Sequence, residues 1–218
     1  LLPDVAVLDA KLTVGLPSSV TAATGVDAMV HAIEAYTSKL RKNPYSDMLA
    51  TRALELLSGN IIPAVSDGQN VSAREGMLLG AMLAGQAFAN APVAAVHAMA
   101  YPLGGHFHVP HGLSNSLVLP EVLRFNSSSA GHYYAELLNH LETSDTRLED
   151  TDPCTLFIEE IEKIISAVKL PTKLKDCGVS AADLPLLAKD AMKQERLLVN
   201  NPVPLTEKDA VAIYERVL

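Results

Sequence analysis

The sequence predicts a mainly α-helical protein, and three observations carry that prediction. Alanine and leucine dominate, while aromatic residues make up only 5% of the chain and tryptophan is absent, a composition that favours helices over a strand-rich sandwich. Apolar residues recur at helical spacing, as at Val26, Met29, Val30, Ile33 and Tyr36. Hydroxyl residues stand where helix N-caps belong, Ser180 before AADLPLLAKDAM and Thr206 before EKDAVAIYERVL. With 218 residues, 49% of them hydrophobic, the chain can bury a substantial core as one large or two small domains.

In chain order, PDVAVL at residues 3–8 reads as a short β-strand with Val5 and Val7 buried, followed by an irregular connection to Pro17. A helix is expected over about residues 25–38, and a second begins at Ser46, with interruptions at Gly59 and Pro63. The third spans 71–90, where Gly80, Ala81, Ala84, Gly85, Ala87 and Ala89 leave a slim face suited to tight packing. Beyond residue 115 the pattern Leu117, Leu119, Val122, Leu123 continues a helix with a kink at Pro120. A loop at 127–130, helices at 135–141 and 156–168, and a mobile surface segment between them at 142–153 complete the middle of the chain. Short capped helices fill the remainder.

The formal charge of -8, with no Lys/Arg cluster, argues against a nucleic-acid partner, and the acidic excess reads as a solvated surface. Cys154 and Cys177 stand far apart with no CxxC spacing, so neither a zinc knuckle nor a disulfide framework is expected, and a reducing cytoplasm is the default. No apolar run is long enough to span a bilayer, and the N-terminus lacks the features of a secretory peptide. The chain opens on Leu1 without an initiator methionine, which fits a segment of something longer.

Ligand chemistry concentrates in residues 96–115, VHAMAYPLGGHFHVPHGLSN, which hold His97, His106, His108 and His111 out of seven histidines in the chain. Proline lacks an amide donor and glycine frees the backbone, so the Pro-Leu-Gly-Gly run from Pro102 is expected to end a helix begun by VHAMAY. That would set His97 on a helical turn and His111 beyond a loop, with His106 and His108 on extended backbone. Upstream, Asp27 and His31 form an i,i+4 pair on one helical face, able to chelate an ion as the paired histidines of HExxH helices do. The residues alone leave two readings open, a metal centre or hydrogen-bonded core and surface histidines. Taken together, one carboxylate and three imidazoles suit Fe2+ or Zn2+ with an open position for a substrate oxygen.

TGVDAMVHAIEAYTS, VHAMAYPLGGHFHVPHGLSNSLVLPEVLRFN and NNPVPLTEKDAVAIYERVL resemble the iron-containing, or group III, alcohol dehydrogenases, in the family's order and over essentially the whole chain. The resemblance implies that Asp27, His31, His97 and His111 are the metal ligands. It implies the all-helical C-terminal domain of a dehydroquinate synthase-like fold, in a family whose α/β nucleotide-binding domain carries a glycine-rich phosphate turn. No GGGS or GxGxxG segment is present here. Residues 1–17 are therefore expected to be the last strand and the connection from that domain, and 18–218 the helical metal-binding catalytic domain.

The implied function is interconversion of a small alcohol and an aldehyde or ketone with NAD or NADP, the metal binding the substrate oxygen. The cofactor would be held mostly by the nucleotide-binding domain, so the isolated chain is expected to be inactive. Homo-oligomerisation or association with that domain is the implied partnership. Where many members read VHxMAHPLG, this chain has Tyr101. Tyr101 is the candidate catalytic residue, able to donate a hydrogen bond or stack near the cofactor, although a tyrosine's reference pKa of about 10 makes it a poor proton carrier at neutral pH. His106 or His108 is the alternative carrier. A zinc glycerol dehydrogenase, a maleylacetate reductase or a hydroxyacid-oxoacid transhydrogenase is the neighbouring reading, and a non-catalytic helical metal-binding module is the reading from another class.

Overall fold

The computed structural model describes residues 3–142 and 151–218. Nine α-helices and three short 3-10 turns account for the regular structure among them: α1 (Ser18–Tyr36), α2 (Pro44–Ser66), α3 (Val71–Asn90), α4 (Ala95–Phe107), α5 (His111–Leu138), α6 (Pro153–Ala167), α7 (Leu184–Met192), α8 (Glu195–Leu198) and α9 (Glu207–Val217). Helices α1, α2 and α3 pack as a group, and α1 also packs on α5, which in turn carries α4, α6 and α9. Most of the buried side chains join one continuous core.

The expected strand at 3–8 does not form among the described residues. A strand needs a ladder partner for its backbone groups; none is there, and Val5 and Val7 are 76% and 84% exposed rather than buried. Asp9 instead caps the turn Ala10–Thr13.

α1 begins earlier than its apolar spacing suggested, at Ser18, with Val26, Met29, Val30 and Ile33 buried. Asn43 and Asn70 cap α2 and α3 by accepting from Ser46 N–H and Ala73 N–H. Both Gly59 and Pro63 lie inside α2 without interrupting it. The slim face of α3 meets α2 closely: a Cβ on Gly80 would lie 2.8 Å from Leu57 Cγ and 3.3 Å from the Ala53 carbonyl. Leu54, Leu57 and Ile61 are fully buried there, each worth about 1.5–3 kcal/mol of burial.

Two further expected breaks are absent. α4 runs through Pro102, Gly104 and Gly105 to Phe107 and ends where His108 adopts a left-handed conformation (φ 56°) and its N–H meets the Gly104 and Leu103 carbonyls. Pro102 disturbs bonding to the preceding turn, and there the buried Tyr214 hydroxyl of α9 donates to the Met99 carbonyl at 2.6 Å. α5 likewise continues through Pro120 and through the expected loop at 127–130. Packing overrides local propensity at that loop: Ala130 and Tyr134 are buried against the core, the Tyr134 and Phe157 rings stack at 5.5 Å, and Ser127 Oγ bonds back to the Arg124 carbonyl. The helix expected at 135–141 is the end of this same α5. Most of the segment expected to be a mobile loop at 142–153 lies outside the described residues. Thr206 caps α9 as expected, whereas Ser180 caps the 3-10 turn Ala181–Asp183 that leads into α7, each through a capping box.

The N-terminus of α5 approaches α1 at Gly112, where an added Cβ would lie 2.3 Å from the Ala23 carbonyl oxygen. The obstacle is backbone and cannot rotate away. Gly112→Ala is therefore expected to destabilise the protein by about 1–3 kcal/mol or more and to lower its melting temperature. A melting curve unchanged from wild type would refute this account of the α1–α5 contact.

Candidate metal centre

The histidine-rich stretch folds as a helix, a three-residue reversal and a second helix, and this brings two of its histidines back to α1. His97 sits in the first turn of α4, and His111 is the first residue of α5, after Pro110. α1 supplies Asp27 and His31 one turn apart. These four residues, from three helices, have donor atoms that all lie within 4.8 Å of one another.

Asp27 Oδ1 is the hub. It lies 3.6 Å from His97 Nε2, 3.6 Å from His111 Nε2 and 3.8 Å from His31 Nε2. Bonds of 2.0–2.2 Å to a tetrahedral ion place ligand atoms about 3.5 Å apart; the three contacts to Asp27 Oδ1 already have nearly that spacing, while the full set, spread within 4.8 Å, would draw in around an ion. The His31 and His97 rings stack at 4.9 Å, and the Phe88 ring packs 4.5 Å from that of His31. Burial is graded: the His97 side chain is 3% exposed and that of His111 is 48% exposed, so the cluster opens on the α5 side.

Asn115, one turn after His111, faces the same point. Its amide Nδ2 donates to Asp27 Oδ1 at 2.5 Å and lies 3.3 Å from His97 Nε2 and 3.2 Å from His111 Nε2. The Asn115 Oδ1 is buried without a hydrogen-bond partner among the described residues. The Asn115 amide nitrogen thus sits among a carboxylate oxygen and two imidazole nitrogens, the set of atoms that would serve a cation once both ring nitrogens carry lone pairs.

Two imidazoles titrate differently here. Burial pushes His31 down to about 4, against the opposing charge of Asp27, so it is neutral at physiological pH. Burial also works against a charge on His97, but the hydrogen bond and charge of Glu34, joined by Asp27, outweigh it and hold His97 above the ordinary histidine value. Glu34 is 4% exposed on α1, and its Oε2 lies 2.7 Å from His97 Nδ1.

Sequence reasoning passed over Glu34 and Asn115. Glu34 follows Asp27 by seven residues, a spacing that keeps it on the same face of α1, and Asn115 follows His111 by four. It also left Asn200 and Asn201 without a role. The Asn200 carbonyl accepts from Lys39 N–H at 2.8 Å, and its Nδ2 reaches the Val93 carbonyl, tying the segment after α1 to the one before α4. Asn201 exchanges amide hydrogen bonds with Asn126 of α5 at 2.7 and 3.0 Å. His106 and His108 do not join the cluster: His106 Nε2 pairs with Asp190 Oδ2 of α7 at 2.6 Å, and His108 is the exposed end of α4. Tyr101 stands beside it, its ring 5.8 Å from His111 and 6.4 Å from His97.

Known proteins resemble this chain in both sequence and fold. Residues 21–218 match the model of the Fe-containing alcohol dehydrogenase family, C-terminal. The long-chain-alcohol dehydrogenase 1 of Geobacillus thermodenitrificans is 45% identical over 215 residues, covering 99% of this chain and 54% of that protein. A solved 1,3-propanediol oxidoreductase superposes with a TM-score of 0.94 at 37% identity, over 100% of this chain and 56% of its own. The sulfoacetaldehyde reductase of Bifidobacterium kashiwanohense, solved in complex with NAD+, superposes with a TM-score of 0.87 at 27% identity, over 99% and 54%. The chain therefore spans about half the length of the relatives it matches, and it belongs to the iron-containing alcohol dehydrogenase family, of which it is the helical C-terminal region.

Proposed function

We propose that this chain is the metal-binding part of an alcohol dehydrogenase that interconverts a small alcohol and its aldehyde or ketone with NAD or NADP. In this reading Asp27, His31, His97 and His111 hold a divalent ion, Fe2+ or Zn2+, and the cofactor is bound mostly by a nucleotide-binding domain joined through residues 1–17. The observation that carries it is the convergence of four donor atoms from three helices within 4.8 Å, with the exposed side at His111. The relatives' names, a long-chain-alcohol dehydrogenase and a 1,3-propanediol oxidoreductase, support an alcohol or aldehyde substrate. Val5, Val7 and Leu12, each at least 76% exposed, support an apolar docking surface for the second domain.

When bound, the ion supplies Lewis-acid polarisation of the substrate oxygen. The chain's own residues orient the rest. Asp27 contributes the charge that offsets the cation, and His31 stays neutral and ready to ligate. Phe88, packed on His31, keeps water from that side of the ring. Tyr101, at the open side near His111, offers a hydroxyl to the substrate or a face to the nicotinamide. A small substrate then meets the cofactor in the opening beside His111, where orientation alone is worth several powers of ten in rate.

The test is metal binding by the purified chain, followed by alcohol-dependent reduction of NAD+ or NADP+ once the nucleotide-binding domain is supplied. Asp27→Ala and His111→Ala are each expected to weaken Zn2+ binding about 100-fold or more, since ligand loss exceeds the cost of losing a supporting contact; wild-type metal content in both would sink the assignment. The pH dependence has a definite sign. Protons compete for His97, so Zn2+ affinity rises as pH climbs through its elevated value and then levels off, while His31 adds no step until about pH 4. Competition titrations with a chelator from pH 5 to 8 check this, and a flat profile would contradict it.

A further inference from the structure

Glu34 is a buried carboxylate whose only ion-pair neighbour among the described residues is a histidine. A carboxylate at 4% exposure needs donors for both oxygens, and here they come from one turn of a neighbouring helix. Oε1 accepts the Val96 N–H at 2.7 Å, and Oε2 lies 2.7 Å from His97 Nδ1. Val96 belongs to the first turn of α4, whose backbone N–H groups have no intrahelical partners, and Ala94 at the N-cap offers no side-chain acceptor. α1 therefore caps α4 from outside, with its carboxylate at the positive end of the α4 dipole.

Resting on the metal-site reading above, we propose that Glu34 is the positioning residue of that site: it keeps the His97 proton on Nδ1, leaves Nε2 free to ligate, and holds the start of α4 in register with α1. The argument is one of acceptors. A carboxylate has no proton to give an imidazole lone pair, so a 2.7 Å contact at Nδ1 requires Nδ1 to carry the hydrogen. The Nε2 lone pair then points to the side where Asp27 Oδ1 stands 3.6 Å away. The same side chain fixes the main chain one residue earlier, so ring orientation and helix position are set together. Asp27, His31 and Glu34 share one face of α1, which makes that face the template for both the ligands and their support.

The deciding experiment uses Glu34→Gln. Glutamine has the same shape but one acceptor oxygen for two donors. With that oxygen on Val96 N–H, its NH2 faces the ring and drives the His97 proton to Nε2, into the cluster. Histidine side-chain 15N NMR of the chain without added metal, at a pH where the ring is neutral, is expected to show His97 as the Nδ1–H tautomer in wild type and a shift toward Nε2–H in the variant. Zn2+ affinity, measured by chelator competition, is expected to fall about 10- to 100-fold. In a His97→Ala background, Glu34→Gln should change the residual Zn2+ affinity by less than about 2-fold, because the effect passes through the ring. An unchanged tautomer, or an equal loss of affinity in both backgrounds, would overturn the proposal and leave Glu34 a packing residue. If Glu34→Gln fails to fold, Glu34→Asp carries the same readouts, with the Nδ1–H tautomer expected to persist and affinity to drop. Should wild type bind no Zn2+, the metal reading fails, while the tautomer measurement still decides the role of Glu34.

Discussion

Three imidazole nitrogens from three helices stand 3.6–3.8 Å from a single carboxylate oxygen, and much of the packing can be understood as what keeps them there. Such an arrangement is costly to hold on mobile elements, because each side chain must arrive on a different backbone. α1 provides the reference, buried along most of its length against α2, α3 and α5. α4 is tied to it at one end by Glu34 and to α9 through Tyr214, and α5 is pressed onto it at Gly112. Asn200 and Asn201 then join the segments that enter and leave this core.

How much of this was legible in the sequence depended on the range of the interaction. α3 could be read to its ends because its helical pattern and small-residue face are local signals, and the N-caps at Ser180 and Thr206 were legible for the same reason. Asp27 and His31 announced themselves by an i,i+4 spacing. The mistakes occur where a distant partner overrules a local preference. Pro102, Gly104 and Gly105 read as a stop, yet α4 continues, with the buried Tyr214 more than a hundred residues away bonding into its proline-weakened turn. The serines at 127–129 read as a loop, yet helix α5 holds because Ala130 and Tyr134 have a core to enter. Conversely, PDVAVL has strand chemistry but no neighbouring strand to complete it, and a ladder cannot be made by one partner.

The candidate site divides along the same line. Composition and spacing marked Asp27 and the histidines as candidates, and the family resemblance singled out four of them, but the groups that support them were invisible because their meaning lies in who they touch. Glu34 in a sequence is one more acidic residue on a helix with a small apolar face. Only the fold turns it toward Nδ1 of a histidine 63 positions later. Asn115 is similar: nothing in SNS predicts an amide nitrogen set beside Asp27 and two imidazoles, and its buried Oδ1, without a partner among the described residues, becomes visible only in three dimensions. Tyr101 was singled out for its departure from the family pattern, and only the fold shows that its ring stands near those of His111 and His97.

The glycines of the histidine-rich stretch do not answer to one selective pressure. A side chain at Gly105 would meet nothing within 4 Å, and at Gly104 only the Val109 carbonyl at 3.6 Å, whereas Gly112 has another helix's backbone where its Cβ would be. Mutational drift is therefore open at the end of α4 and closed at the start of α5, within eight residues of each other. A lineage can remodel the rim of this region by point substitution. The seam between α1 and α5 is one it has to inherit intact.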